Sequence, residues 1–278
     1  IADEDTFNEE YLYECRETLQ NVLSDSVYNV RVCFGIYRTD NMNESLSFMC
    51  DKASFAVASI KDDTHSFIAY YDDTMLEAAI KYKTIVDEFD DAIKAGEFKM
   101  YLQPQISAKT RRLTGAEALV RRIKPDGTII SPIDFIPVYE KSGLISRLDR
   151  YIWEQAAAKL GEWKKAGINM SISVNISPKD FYYIDIFNTF AGLIKKYDIE
   201  PSNLKIEITE TTIMSDVPNL MGELEELRKA GFTLEMDDFG SGYSSLNTLK
   251  DINVDVLKVD MGFIKETKNV KKSRIILA

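Results

Sequence analysis

Short apolar runs recur about every thirty residues through the second half of the chain, the length of one strand-plus-helix unit in a (β/α) barrel. Each carries a carboxylate, amide or amine on one face or at its end: Glu117 in GAEALVR, Asn175 in SISVNIS, Glu207 in LKIEITE, Asp237 and Asp238 in LEMDDFG, and Lys258 in VLKVD. Catalytic groups of such barrels sit at the carboxyl ends of the strands. The set therefore reads as one site assembled from successive strands.

Within these runs one face alternates polar. Ser171, Ser173 and Asn175 oppose Ile172, Val174 and Ile176; Lys205, Glu207 and Thr209 oppose Leu204, Ile206 and Ile208; Lys258 and Asp260 oppose Leu257, Val259 and Met261. Apolar residues must face the helices, which leaves the polar ones inside, where an ionised group is costly unless paired or bound to a metal. Singly, each has an ordinary explanation: an edge glutamate, a turn asparagine before Pro178, a helix cap, half of an ion pair. Matching register on successive strands favours a shared function.

Carboxylates converging without a cation would repel and raise one another's pKa. Glu117, Asn175, Glu207, Asp237 and Asp238 offer the hard oxygen donors that suit Mg²⁺ or Mn²⁺, as one or two ions. Such ions stabilise the oxygens of a phosphoryl displacement and lower the pKa of bound water towards about 7. Lys258 would orient or deprotonate that water, or neutralise a phosphate, with nearby metal charge pushing its pKa down. Gly240 and Gly242 give a pliable loop after the aspartates, which Glu210 would steady by accepting hydrogen bonds. Tyr101, Phe135, Tyr139 and Phe181 have the rings to stack a base, but their spacing fits core positions better.

Composition narrows the classes. The net charge of −11 opposes a broad surface for a nucleic-acid polymer. Three separated cysteines, Cys15, Cys33 and Cys50, form neither a disulfide framework nor a zinc motif, which fits the cytoplasm. No apolar stretch is long enough for a membrane helix, so no membrane contact is expected in this fragment. The single histidine, His65, excludes histidine-rich metal sites and Ser-His-Asp triads and reads as a surface turn residue. The chain runs from Ile1 to Ala278, and both ends read as cut points.

Periodicity predicts a helix over 8–23, a strand over 30–37, a helix around Leu46 to Ile60, a strand over 66–71, and a long helix from Met75 to about Ala95. Strands are then expected near 98–104, 113–121, 170–176, 204–209, 233–237 and 255–260. Helices fall near 133–141, 147–166, 180–197, 216–230 and from about 268, with Gly167, Pro201 and Gly231 as breakers. The domains follow: 1–74 small α+β, 75–96 linker helix, 97–278 barrel.

YLQPQ (101–105), GAEALVR, PIDFIPVYEKSGLI, SVNIS, EITE, DDFGSGYSSL and LKVD together resemble the EAL-domain family of cyclic di-GMP phosphodiesterases from about residue 96 onward. The resemblance implies a modified TIM barrel with its first strand antiparallel, hydrolysing cyclic di-GMP to linear pGpG. It implies Glu117, Asn175, Glu207, Asp237 and Asp238 as metal ligands, Lys258 acting on the attacking water, Glu210 supporting the loop, and Gln103, Leu119 and Arg121 contacting the dinucleotide. It also implies a capacity to form homodimers.

Arg122 replaces the family's usual tryptophan, and Ser241 its usual threonine. Six strand patterns are present where a closed barrel has eight, and the family's AEGVE glutamate and QGY glutamine would fall beyond Ala278. The alternative reading is therefore a weak or inactive module that binds cyclic di-GMP. RVCFGIYRTD, CDKASFAVASIK and FIAYYDD resemble the C-terminal half of a GGDEF domain, with Asp3-Glu4-Asp5-Thr6-Phe7 in place of the signature, so cyclase activity is not expected.

Overall fold

The computed structural model describes residues 7–23, 31–39, 41, 43–61, 63, 65–215, 217–240 and 253–261. The chain divides into two compact units, Ile1–Thr84 and Ile85–Ala278. In the first, α1 (Glu9–Leu23), β1 (Phe34–Ile36), α2 (Leu46–Ser59) and β2 (Ile68–Tyr70) follow the expected order, with α3 (Asp73–Asp87) running across the boundary. β1 and β2 pair in parallel, and the Ser45 hydroxyl caps α2 by accepting from the Phe48 amide at 3.3 Å. Both strands are shorter than the expected ranges, whose residue 30 lies outside the described residues. His65 is exposed in a bend, its amide donating to Asp63.

The expected 75–95 helix divides into α3 and α4 (Phe89–Lys94). In the second unit, β3 (Phe98–Ile106) pairs antiparallel with β4 (Leu113–Ile123), as the resemblance implies. A two-residue strand, β5 (Ile129–Ile130), joins the far end of β4 and had no sequence signal. β6 (Ser171–Asn175), β7 (Leu204–Thr209), β8 (Leu234–Phe239) and β9 (Val256–Val259) continue in parallel order from β4. Among the described residues the sheet is open between β3 and β9.

Helices cover the outer face. α5 (Pro132–Ser142) and α6 (Ile145–Lys165) precede β6, and α7 (Asp180–Tyr183) and α8 (Ile186–Tyr197) precede β7. α9 (Glu210–Met214) and α10 (Leu220–Lys229) precede β8; the helix expected over 180–197 is thus two, the one expected over 216–230 is α10, and α9 is an additional short helix with no expected counterpart. α8 stops at left-handed Asp198 (φ 53), ahead of Pro201, which opens a 3-10 turn. Gly167 (φ 72) and Gly231 (φ 94) take the left-handed conformation expected of breakers. The helix expected from about 268 lies outside the described residues.

α6 buries Leu148, Ile152, Trp153, Ala156, Ala157 and Leu160 at helical spacing. They pack on Ile172, Val174, Leu204, Ile206 and Ile208, the outward residues of β6 and β7, in one core. Each fully buried leucine, isoleucine or valine among them contributes about 1.5–3 kcal/mol. Phe135 and Tyr139 are fully buried in an aromatic cluster with Phe89 and Phe98, which makes them core and not base-stacking residues. Phe181 packs partly buried against the same core, while Tyr101 is half exposed on β3.

Arg122 is 2% exposed, yet charged. Its guanidinium donates to Glu88 at 2.6 Å and Glu97 at 2.9 Å and lies over the Phe98 ring, tying the chain just ahead of α4 to β4. A tryptophan could fill this volume but could not neutralise Glu97, so the substitution and its acidic partners go together. Arg122→Ala should cost about 3 kcal/mol, the lower end for a broken buried pair because Glu88 is partly exposed, as measured by urea unfolding.

Candidate metal and phosphoryl-transfer site

Inward-facing positions on four strands meet at one amine. Lys258 Nζ on β9 donates to Glu117 Oε2 on β4 at 2.9 Å, Glu207 Oε2 on β7 at 2.8 Å and Asp237 Oδ2 on β8 at 2.8 Å. Oxygens of the three carboxylates lie within 4.8 Å of one another. Register explains the meeting: β4, β6, β7, β8 and β9 run parallel, and the two-residue pleat keeps all of these side chains on the sheet's inner face.

Glu207 is fully buried, and burial pushes its pKa up to about 7 despite hydrogen bonds from Lys258 and Ser173, with Glu117 adding repulsion. For Lys258, burial acts downward, but its bonds to Asp237 and Glu207 prevail and hold the amine well above its ordinary value. Without a metal, Lys258 is thus a firm cation; the depression expected of it belongs to the metal-loaded site. Among the described residues, Glu207 Oε1 is buried without a hydrogen-bond partner. That orphaned oxygen and an all-oxygen donor set fit a hard divalent ion.

The other expected residues are placed less uniformly. Asn175 ends β6 in register with Glu207, and its carbonyl accepts from Trp153 Nε1 at 2.9 Å; its side chain makes no hydrogen bond among the described residues. Asp238 is exposed, takes φ 56, and lies outside the carboxylate cluster. Desolvation and the neighbouring Asp237 and Asp260 raise its pKa. Glu210 is buried at the start of α9, where Oε2 accepts from the Gly240 amide at 3.2 Å. Ser241 and Gly242 lie outside the described residues.

Gln103 on β3 is exposed opposite Glu117 in the ladder. Leu119 and Arg121 are partly buried and follow Glu117 on the same face of β4 towards its carboxyl end. Arg121 Nη1 donates to the Val120 carbonyl at 2.7 Å.

Beneath the cluster lies a second polar layer with no role assigned from sequence. Lys205 Nζ donates to buried Glu235 at 2.8 Å, and Gln105 reaches Ser173 at 3.2 Å. Glu235 precedes Asp237 by two residues, and that alternation was its available signal.

The EAL domain family matches residues 86–278. Signaling protein YkoW of Bacillus subtilis is 32% identical over 225 residues, covering 81% of this chain and 28% of the relative. The bifunctional diguanylate cyclase/cyclic di-GMP phosphodiesterase MucR of Pseudomonas aeruginosa is 30% identical, covering 77% of this chain and 31% of the relative. The chain thus spans about a third or less of the length of these relatives. Among solved structures, PaMucR phosphodiesterase in its c-di-GMP complex is 31% identical with a TM-score of 0.63, covering 70% of this chain and 79% of that one. The EAL enzyme Bd1971 in a cGMP-bound form is 28% identical with a TM-score of 0.64, covering 73% and 56%.

A raised carboxyl pKa means that the folded chain keeps a proton the unfolded chain releases near 4.3. Its contribution is complete below that value and is lost as pH rises through about 7. In EDTA, Glu207→Gln should therefore raise the melting temperature at pH 8 relative to the unmutated chain and change it little at pH 4.

Proposed function

The chain belongs to the EAL-domain family, and on that premise we propose that it hydrolyses cyclic di-GMP to linear pGpG with a divalent metal, Mg²⁺ or Mn²⁺. The observation that carries this reading is the convergence of Glu117, Glu207 and Asp237, from three strands, on one cation position. Water adds to one phosphorus, one ester P–O bond breaks, and the ring opens to the linear dinucleotide.

Glu117, Glu207 and Asp237 would hold the metal, with Asn175 at the adjoining strand end and Asp238 at the rim. When bound, the ion supplies charge stabilisation at the phosphoryl oxygens and acidifies water. Lys258, kept protonated by its carboxylate partners, is suited to orient the attacking water by donating to it and to offset phosphate charge. Arg121 is a match for a phosphate oxygen and Leu119 for the apolar face of a base, with Gln103 offering an amide to the dinucleotide. Glu210 fixes Gly240 and so the backbone leaving Asp238.

Residues 1–74 are read as the C-terminal half of a degenerate GGDEF domain, 75–96 as its helical link, and 97–278 as the EAL barrel; this rests on sequence likeness. Among the described residues no helix is long and apolar enough to cross a membrane. A cytoplasmic setting, matching the location of a bacterial second messenger, and dimerisation belong to the same proposal.

The full-length protein with Mg²⁺ should convert cyclic di-GMP to pGpG, and Glu117→Ala should lower turnover by more than about 100-fold. Saturable binding without turnover by the unmutated full-length protein would instead assign it to the sensors. Metal at 100-fold over its dissociation constant should add about 2.7 kcal/mol to stability.

A further inference from the structure

The polar layer beneath the carboxylate cluster is given no task by the reaction above. Lys205 on β7 donates to Glu235 Oε1 on β8 at 2.8 Å. Glu235 is 2% exposed, so its charge has to be answered inside the sheet. Among the described residues Lys205 is the one cation within ion-pair distance of it, and Glu235 Oε2 is buried without a partner. On the other side of Lys205 in the ladder stands a neutral residue, Ser173 of β6, whose hydroxyl oxygen accepts from Gln105 at 3.2 Å.

Lys205 precedes Glu207 by two residues on the same inward face of β7, about 6.6 Å away along the strand. Glu235 stands directly beside Glu207 in the parallel register of β7 and β8. The flexible four-carbon stem of a lysine spans that interval, and its ammonium has three hydrogens to donate. Glu207 Oε1 lacks a donor among the described residues, while Oε2 is taken by Lys258 at 2.8 Å. Lys205 is thus placed to serve either glutamate, and it serves Glu235. The reason is unequal need. Glu207 keeps Lys258 whichever way Lys205 turns, whereas Glu235 would be left as a bare buried carboxylate, which is strongly destabilising.

We propose that Glu235 is a positioning residue for the cation site: by holding Lys205 one layer down, it keeps a second ammonium off Glu207 and leaves Oε1 free to ligate a metal. Without Glu235, Lys205 turns to Glu207 Oε1. Glu207 is then closed from both sides, by Lys258 on one oxygen and Lys205 on the other. The effect on metal affinity rests on the reading of Glu117, Glu207 and Asp237 as a cation site; the choice of Lys205 between two glutamates does not.

The test is a double-mutant cycle on the intact chain, with Mn²⁺ affinity measured by calorimetry and folding by circular dichroism. Glu235→Leu should weaken Mn²⁺ binding about tenfold or more, the range for losing a residue that supports a ligand. Adding Lys205→Met should bring affinity back to within about twofold of the unmutated chain, the margin for sites that no longer interact. The fold should survive, since an apolar pair of similar volume can replace a buried ion pair. Where Glu235 is present, Lys205→Met should change affinity by no more than about twofold. That contrast separates a relocated ammonium from charge acting through space, which would give Lys205→Met the same effect in both backgrounds.

Equal effects in the two backgrounds would therefore overturn the proposal. So would unchanged Mn²⁺ binding in Glu235→Leu, which would make the pair structural only, or a double variant that stays weak, which would make Glu235 itself a ligand. If Glu235→Leu does not fold, Glu235→Gln takes its place in the cycle with the same expected signs. A crystal structure of the same variant grown in EDTA reads the lysine directly: Lys205 Nζ should lie about 3 Å from Glu207 Oε1. Lys205 anywhere else would contradict the proposal. If the unmutated chain binds no Mn²⁺, that crystal structure still decides the matter, while the cation-site reading fails separately.

Discussion

Charge placed inside a barrel has to be answered locally, and the bonds from Lys258 to Glu117, Glu207 and Asp237 are that answer here. Four ionisable groups from four strands share one small volume, and Glu207 among them is fully buried. A single ammonium offsets three carboxylates incompletely, which is why burial still raises Glu207 and why one of its oxygens lacks a donor. The site is built for more positive charge than the protein itself provides. A hard divalent cation would supply it, and the proposed phosphoryl chemistry would draw on the same charge.

The rest of the unit keeps that arrangement in register. Isoleucine, valine and leucine on the outward faces of β6 and β7 bind the sheet to α6 and α8, and the inner polar positions are fixed as a consequence of the pleat. Support continues one layer below in the Lys205–Glu235 pair, and around the rear of β4 through Arg122 with Glu88 and Glu97. α6 has a double role: its apolar stripe forms the core, while Trp153 reaches past it to the backbone carbonyl of Asn175.

Much of this was legible in the sequence, for a physical reason. Alternation has a period of two, so LKIEIT and SISVN reveal both their strands and their faces, and placing Glu207 inward required only that Ile206 and Ile208 face outward. Contacts separated by long stretches of chain carried no such signal. Trp153 reads as a core residue on an amphipathic stripe, and nothing in the sequence aims its nitrogen at Asn175. Asp180 follows SPK like any helix-opening acid, and nothing in the sequence marks it as fully buried. Short breaks were also hidden: the 75–95 helix has a continuous helical pattern, but Glu88 is drawn to Arg122 and Lys124 where α3 gives way to α4. Adjacency in a strand points side chains apart, and so Asp237 joins the carboxylate cluster while Asp238 lies at the exposed rim.

The central claim is that the inward row of acids is a cation site, and Mn²⁺ titration followed by electron paramagnetic resonance tests it most directly. Free aqueous Mn²⁺ gives a six-line signal that weakens on binding to protein carboxylates. The account predicts loss of that signal up to one or two ions per chain, and persistence of the signal when Glu207→Gln and Asp237→Asn are combined. An unaffected signal with the unmutated protein, or equal binding by the double variant, would contradict it.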